Sequence, residues 1–247
     1  MIQKLCFVFV LNAMFVLGAR FPVNQAKCHY GDSVCFTKVA NEIVSNGKTA
    51  YPELGLPVLD PLSVARMDID QGGDSPVNLK INLKNFHIVG LSNTKFMKID
   101  GFKRDYDKAK MELRFKFPVL RIEGPYKLQG KVLVLPVQGE GIANLTFRDT
   151  DVTFKILTKK IVKNGKNYMN IEKSKLDFST TQVYVNFENL FNGNKELGTT
   201  TNDFFNQNWR DILKEIRPAV SEALSNVWES LINNVFMNIP YDEIFTN

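Results

Sequence analysis

The stretch Lys110-Met-Glu-Leu-Arg-Phe-Lys-Phe117 alternates one polar residue with one large apolar residue over eight positions. Because successive side chains of a β-strand point to opposite faces, this pattern predicts a strand with one dry and one wet face. The same two-residue period recurs around Leu79, Val152 and Val183, and it dominates the chain from about residue 62 to 187. Such strands predict an antiparallel sheet that is covered on one side only.

Two further features organise this strand region. The parity of the alternation changes at Asn85, after which Phe86 and Ile88 take the apolar positions, so we expect a β-bulge there. Glycine-containing segments predict turns between strands. These segments are Gly72-Gly73, Gly124-Pro125, Gly139-Glu-Gly141 and Asn164-Gly165.

The last part of the chain has a helical period. Apolar side chains recur at helical spacing from about residue 202 to 236, and Asn202 or Asp203 offers an N-cap. Pro218 predicts a kink or a break near Arg217, because proline lacks the backbone N–H that an α-helix needs. A continuous helix of this length would span roughly 50 Å.

A shorter helix is predicted near the start of the chain. Asp32 or Ser33 can cap it, and Gly47 is expected to end it. The segment 51–61 follows, with three prolines that exclude regular structure, and no comparable linker occurs later. The order of elements therefore predicts one elongated α+β domain, with the strands wrapped around a long C-terminal helix.

The first nineteen residues have the composition of a secretory signal peptide. Lys4 precedes thirteen mostly apolar residues, 5–17, and the small pair Gly18-Ala19 follows them. A membrane anchor is the alternative, but spanning a bilayer takes about 20 apolar residues. We therefore expect a signal peptide at residues 1–19, a mature domain at 20–247 and secretion.

Cysteine usage agrees with an oxidising compartment. Cys6 would leave with the signal peptide, so Cys28 and Cys35 remain and are most simply one local disulfide. A redox pair or half of a zinc site are the alternatives. The sequon that begins at Asn144 predicts a glycan, provided that it lies on an exposed edge or turn.

The sequence contains few of the residues and motifs that catalysis requires. The formal net charge is +5, without a dense Lys/Arg run, so no nucleic-acid partner is expected. With only His29 and His87, and with no nucleophile elbow, Walker loop or metalloprotease motif, we expect no enzyme activity, metal or cofactor. The acidic segment 68–74 resembles the start of a calcium loop, but Leu79 stands where the bidentate glutamate belongs, so we interpret it as a hairpin turn.

The large apolar side chains leave two interpretations open. Nineteen phenylalanines, three of them in the expected signal peptide, can fill a solid core. They can equally line a tunnel for an apolar ligand.

The order of several short motifs resembles the insect takeout and haemolymph juvenile-hormone-binding protein family over essentially the whole mature chain. The single N-terminal cysteine pair is similar to the takeout branch, since the second disulfide of the moth hormone carriers cannot form here. The motifs are Cys28…Cys35, Glu53-Leu-Gly-Leu-Pro57-Val-Leu-Asp-Pro61-Leu, Asn85-Phe-His-Ile-Val-Gly90-Leu-Ser, Gly124-Pro-Tyr126-Lys-Leu-Gln-Gly130, Leu135-Pro136-Val-Gln-Gly139-Glu-Gly141, Asn208-Trp209 and Pro240-Tyr-Asp-Glu-Ile-Phe245.

This resemblance implies an α/β-wrap fold related to tubular lipid-binding domains, in which a highly curved antiparallel sheet encloses a helix and an apolar tunnel. It also implies a secreted, monomeric carrier in haemolymph or sensory lymph. The ligands would be juvenile-hormone-like terpenoids, fatty-acyl or quinone-like lipids. The roles would be linked to feeding, circadian state, courtship or chemosensation.

Within that fold, the periods predict which side chains face inward and line the tunnel. They are Phe86, Met111, Phe115, Phe117, Phe154, Phe178, Phe205, Trp209, Ile216, Leu224 and Trp228. Two other functions are compatible with the sequence. One is lipid exchange during transient contact with a membrane surface, which the basic excess would help. The other is a secreted esterase, for which no nucleophile–base pair is visible.

Overall fold

The computed structural model describes residues 26–73, 76–132 and 134–246, so the expected signal peptide lies outside the described residues. Three α-helices occur in these ranges: α1 (Ser33–Ser45), α2 (Lys195–Gln207) and α3 (Trp209–Asn238). The strands are β1 (Leu62–Gln71), β2 (Val77–Val89), β3 (Lys95–Asp100), β4 (Lys110–Val132), β5 (Leu135–Lys163), β6 (Lys166–Ser179) and β7 (Gln182–Phe187).

All strands belong to one antiparallel sheet with the order β1-β2-β4-β5-β6. Strand β3 extends the position of β2 along β4, and β7 extends the position of β6 along β5. Helix α3 packs against β1 and β6, which are the two ends of that order. A sheet whose two outer strands meet the same helix must curl around it, so the predicted wrapped α+β fold is confirmed.

The two-residue period is visible in the burial of the strands. Met111, Leu113, Phe115 and Phe117 of β4 are all buried, as the alternation predicts. In β2 the register against β4 shifts between Leu83 and His87, and the expected bulge at residue 85 is confirmed. The residue at the bulge, an asparagine, has a φ of 48°, and this extra residue returns Phe86 to the buried face.

Two predicted turns are confirmed and two are wrong. The segments 72–73 and 164–165 do connect antiparallel strands. The segments 124–125 and 139–141 instead lie inside β4 and β5, where Gly124 pairs with Ala143 and Leu128 with Gly139. Glycine at these positions lets neighbouring backbone approach closely: a Cβ on Gly124 would stand 2.6 Å from the Phe86 Cα atom.

The C-terminal helical region also differs from the prediction. It begins at Lys195, because the Asn194 side chain accepts a hydrogen bond from the Leu197 N–H at 3.1 Å and caps the helix. The interruption falls at Asn208 and not near Arg217, and α3 continues past Pro218. The missing N–H of a proline removes one helical hydrogen bond, which the packing of α3 inside the sheet tolerates here.

Helix α1 begins as expected. The Asp32 carboxylate accepts a hydrogen bond from the Cys35 N–H at 2.9 Å and satisfies one of the free N–H groups of the first turn. The helix ends at Ser45, and the Gly47 N–H donates to the Val44 carbonyl at 2.9 Å. Phe36 and Val39 on its buried face turn towards the interior of the wrapped sheet.

Candidate functional site

An apolar cavity of about 200 Å³, cavity A, lies between α1, β3, β4 and the C-terminal half of α3. Its walls come from the dry faces that the two-residue and helical periods create. The lining includes Val39, Ala40, Ile43, Leu91, Thr94, Phe96, Phe102, Met111, Leu113, Phe115, Trp228, Leu231, Ile232, Val235 and Phe236.

Hydrogen bonds from α1 to the edge of β3 fix the position of the first wall. The Asn41 side chain accepts from the Phe96 N–H at 2.8 Å and donates to the Phe96 carbonyl at 3.0 Å. The Thr37 hydroxyl accepts from the Ile99 N–H at 3.0 Å. These bonds hold the apolar face of α1 over the cavity, since the lining residues Ala40 and Val44 lie three positions after Thr37 and Asn41 and are their neighbours on the helix surface.

One end of cavity A is bounded by both ends of the described chain. We call residues 239–246 the C-terminal clasp, and Ile239 and Ile244 of this segment line the cavity. The Thr246 N–H donates to the Cys28 carbonyl at 3.1 Å, and the Tyr30 ring stacks on Phe245 with ring centroids 3.9 Å apart.

Tyrosine side chains hold the clasp to the loop before β4. The Tyr241 hydroxyl donates to the Lys103 carbonyl at 2.6 Å, and its ring packs on Tyr106 with centroids 3.7 Å apart. Burial raises the pKa of Tyr241 far above its ordinary value and raises the pKa of Tyr106 to about 12. Both phenols are therefore neutral at physiological pH, and they act as structural donors and packing groups.

The side-chain hydroxyl in the described wall of cavity A already has a hydrogen-bond partner. Thr94 is the hydroxyl-bearing residue among the described residues that line cavity A, and its hydroxyl donates to the Leu91 carbonyl at 2.5 Å. Cys28, which the disulfide joins to Cys35, also lines the cavity. A wall of this kind selects a ligand by shape and apolar surface, with little contribution from directional hydrogen bonds.

A second apolar cavity of about 90 Å³, cavity B, lies further along α3. Its lining comes from β1, β2, β4, β5, β7, α2 and the N-terminal half of α3. It includes Met67, Ile69, Leu79, Ile81, Ile122, Leu128, Leu145, Phe147, Val185, Phe187, Phe205, Trp209, Ile212, Ile216, Val220 and Leu224.

Aromatic side chains separate the two cavities. On α3, Leu224 lines cavity B and Trp228, one turn later, lines cavity A. On β4, Phe115 lines cavity A and Ile122 lines cavity B. Phe117 lies between them in the strand and stacks on Trp228, with centroids 6.0 Å apart and ring planes at 23°.

The structure distributes the eleven predicted lining residues over three places. Met111, Phe115 and Trp228 line cavity A, and Phe205, Trp209, Ile216 and Leu224 line cavity B. Phe86, Phe117, Phe154 and Phe178 are buried and line neither cavity. The prediction did not include α1 or β3; the apolar stripe of α1 was visible in the sequence, but its position over the cavity follows from tertiary contacts.

The remaining sequence predictions concern modification and metals. The disulfide between Cys28 and Cys35 is confirmed. Asn144 lies inside β5, paired on both sides and half-buried, and its glycosylation stays a prediction. In the segment that resembles a calcium loop, the Asp68 carboxylate accepts from Arg66 and Asn82 at 2.6 Å each, and Asp70 pairs with Lys80 at 3.1 Å.

Over the described ranges, the chain shows neither a metal-binding cluster nor a membrane-spanning helix. No group of three or more histidine, cysteine, aspartate or glutamate side chains is arranged to hold a metal ion there. None of the helices described is long and apolar enough to cross a membrane.

Comparisons with known proteins agree with this architecture. A crystal structure of Takeout 1 from Epiphyas postvittana superposes with a TM-score of 0.73 at 25% identity, covering 90% of this chain and 99% of that one. The circadian clock-controlled protein daywake of Drosophila melanogaster is 30% identical over 231 residues, which are 91% of this chain and 88% of daywake. The daywake protein of Drosophila yakuba is 29% identical over 231 residues, with the same shares of both chains covered.

The family model for haemolymph juvenile hormone binding protein matches residues 5–246, which is nearly the full length of the sequence. The chain therefore belongs to the haemolymph juvenile hormone binding protein family, with takeout-like relatives.

Proposed function

We propose that this protein is a secreted carrier that binds one small hydrophobic ligand in cavity A and performs no reaction on it. The observation that carries this proposal is the apolar cavity itself, whose one hydroxyl-bearing lining residue in the described chain already donates to a carbonyl. Water gains few partners in such a cavity, so an apolar ligand can enter at little desolvation cost.

The size of cavity A bears on the ligand class. An engineered apolar cavity of about 150 Å³ binds benzene, so one of about 200 Å³ accommodates a somewhat larger apolar group. A terpenoid or acyl portion of about ten carbons would gain at most about 8 kcal/mol by burial, before association costs of several kcal/mol. Longer fatty-acyl or quinone-like ligands need the space of cavity B as well, beyond Phe117.

The setting of the carrier is part of the proposal. The Cys28–Cys35 disulfide and the predicted signal peptide support an extracellular protein, in haemolymph or sensory lymph. The name of the daywake relatives supports expression under circadian control, with roles in feeding state, courtship or chemosensation as the alternatives. We propose a monomer, since both cavities are built by one chain.

Native mass spectrometry of the secreted protein tests the carrier function, followed by organic extraction of whatever has co-purified. The expected result is a stoichiometric apolar passenger, or stoichiometric uptake of a terpenoid or fatty acid by the apoprotein. A protein that is isolated empty and takes up neither class would contradict the proposal, and the two cavities would then be packing defects of a solid core.

A pair of variants assigns the binding to cavity A. Ala40→Phe places an aromatic ring in the cavity and should abolish uptake, because Ala40 lines it from α1. Ala219→Phe is the matched control, since Ala219 is a half-buried helical alanine that lines neither cavity. Equal uptake by the two folded variants would exclude cavity A as the binding site.

A further inference from the structure

The hairpin formed by the end of β5 and the start of β6 holds most of the basic excess of the protein. This segment, residues 155–175, is here called the basic hairpin. It contains seven lysines and one glutamate, a net charge of +6, whereas the whole chain has a formal net charge of +5. The rest of the chain is therefore close to neutral, and the positive charge is localised at one end of the sheet.

The lysines of the basic hairpin are exposed, and several face one another. In the β5–β6 register, Lys155 lies opposite Lys175, and Lys163 lies opposite Lys166. Like charges directly across a strand pair destabilise a sheet, so folding alone does not favour this arrangement. Because the lysines are spaced along two strands, they form no dense run in the sequence.

Few acidic groups neutralise these lysines. Lys155 lies 3.9 Å from Glu112, and Lys166 lies 2.9 Å from Glu243. Within the described ranges, five lysines of the basic hairpin form no salt bridge: Lys159, Lys160, Lys163, Lys173 and Lys175. Other acidic side chains near the basic hairpin include Glu172 on β6 itself, Asp107, whose carboxylate accepts from the Lys160 N–H at 3.0 Å, and Glu229, which accepts from the Ser174 hydroxyl at 2.6 Å.

The tip of the basic hairpin adds an apolar group to this positive surface. Asn164 and Gly165, with φ values of 52° and 73°, form the tight connection between the strands. Val162, two residues before the turn, is 65% exposed and lies next to Lys163. An apolar side chain at this position would meet the boundary between headgroups and acyl chains if the surrounding lysines contacted anionic headgroups.

The basic hairpin also lies beside the end of cavity A. Lys166 pairs with Glu243 of the C-terminal clasp, and the Tyr106 hydroxyl donates to the Tyr168 carbonyl at 3.4 Å. Tyr106 in turn packs on Tyr241 of the clasp. The segment that bounds cavity A is thus in direct contact with the basic hairpin.

We propose that the basic hairpin docks the protein on a bilayer that presents anionic headgroups, with Val162 at headgroup level and the C-terminal clasp facing the membrane. The cluster of unpaired lysines supplies the electrostatic attraction, and the exposed valine favours a bilayer over a soluble polyanion, which offers no apolar phase. The use of this contact for loading or release of a ligand rests on the proposed carrier function; the docking itself does not.

Vesicle flotation tests the docking with the full-length secreted protein. Vesicles of phosphatidylcholine alone should leave the protein unbound, whereas vesicles that also contain phosphatidylserine should float with it at low salt and lose it at high salt. Absence of binding to the phosphatidylserine vesicles would overturn the proposal. So would binding to heparin, a soluble polyanion, without binding to these vesicles.

Matched variants locate the surface. The triple variant Lys159→Gln, Lys163→Gln, Lys173→Gln should weaken vesicle binding about a hundredfold, at about 1 kcal/mol for each lysine near an anionic surface. The control Lys84→Gln, Lys131→Gln, Lys195→Gln removes the same charge outside the basic hairpin and should bind nearly as the wild type does. Equal losses in the two triple variants would overturn the assignment to the basic hairpin.

A second pair tests the apolar tip, and a second readout separates the two proposals. Val162→Asp should weaken vesicle binding, while Val134→Asp, at the exposed β4–β5 turn, should not; equal effects would contradict the role of Val162. Uptake of a fluorescent fatty acid in solution should be unchanged in all these variants. Vesicle binding without uptake by the wild type would refute only the carrier function, and uptake without vesicle binding only the docking.

Discussion

The Asn206 side chain takes the place of a missing strand neighbour for Val185. Its oxygen accepts a hydrogen bond from the Val185 N–H at 2.8 Å, and its amide donates to the Val185 carbonyl at 2.9 Å. One turn earlier in α2, Asn202 forms the same pair of bonds with Phe187, at 2.9 and 3.0 Å. Helix α2 thereby covers the outer edge of β7, which would otherwise expose unpaired backbone groups.

Replacing Asn206 should destabilise the fold through this edge. Asn206→Ala leaves a partly buried N–H and carbonyl of Val185 without their partner, and we expect a loss of about 1–3 kcal/mol in the free energy of unfolding. Urea denaturation measures it. The control is Asn226→Ala, since Asn226 is an exposed asparagine of α3, and its change should stay within about 0.5 kcal/mol. Equal effects would show that the edge contact contributes nothing.

Gly141 marks a close approach between β5 and the chain that follows β7. A Cβ at this position would lie 2.6 Å from the Glu188 carbonyl oxygen. Gly141→Ala should therefore destabilise the protein by about 1–3 kcal/mol, because backbone must move to admit the methyl group. Gly72→Ala is the control: among the described residues, the nearest atom to its Cβ would be the Asp70 Oδ1 atom at 3.9 Å, so its thermal midpoint should stay near that of the wild type.

The same glycine shows what limited the prediction of the fold. The two-residue period correctly predicted strand structure within β2, β4, β5 and β7, and the bulge at Asn85, because burial of one face repeats along the strand. Glycines at 124, 139 and 141 give the same signal as turn glycines, so the sequence predicts turns at positions where β4 and β5 in fact continue. Only the positions of the neighbouring segments show that these glycines allow two backbones to pack closely, and that the chain does not turn back at them.

The candidate site was predictable in part for a related reason. Alternation identifies Phe115 and Phe117 equally as inward side chains, and both are buried. Phe115 lines cavity A while Phe117 does not, although the Trp228 ring packs close to both, with centroids 5.2 and 6.0 Å away. A sequence period shows which face of an element is apolar. Whether a cavity remains beside that face depends on how side chains from three or more elements pack together.

Asp60 makes the stability of the fold dependent on pH. Burial opposes its ionisation, but hydrogen bonds from the Gly90 N–H at 2.9 Å and from the Ser92 hydroxyl and N–H outweigh it, and the pKa of Asp60 is lowered. A carboxylate with a lowered pKa stabilises the fold above its unfolded-state pKa, and this contribution is lost as the pH falls through the folded value.

Asp60→Asn should therefore cost about 1 kcal/mol of stability at neutral pH, a modest value because the side chain retains solvent contact. The difference from the wild type should shrink below about pH 4, where the carboxyl of the unfolded chain is protonated. Urea denaturation over a pH series measures both effects. Asp105→Asn, at an exposed position, should leave the pH profile unchanged. A difference in the free energy of unfolding between wild type and Asp60→Asn that stays constant with pH would contradict the stabilising role of the ionised Asp60 carboxylate.

Phe117 should control how long a ligand the protein accepts. It lies between cavity A and cavity B and stacks on Trp228, so a shorter side chain opens space between them. Phe117→Leu should shift the preference in competition binding among saturated fatty acids towards longer chains. The overall affinity for a short acid should change little, because the lining of cavity A is retained.

The matched control is Phe178→Leu, which shortens another buried phenylalanine that lines neither cavity and does not stack on Trp228. Both variants remove the same apolar volume from the core, so they should lose comparable stability in thermal denaturation. Only Phe117→Leu should change the chain-length preference. A parallel shift in Phe178→Leu would mean that general loosening of the core sets the limit, and an unchanged preference in both would place the boundary between the cavities at other residues.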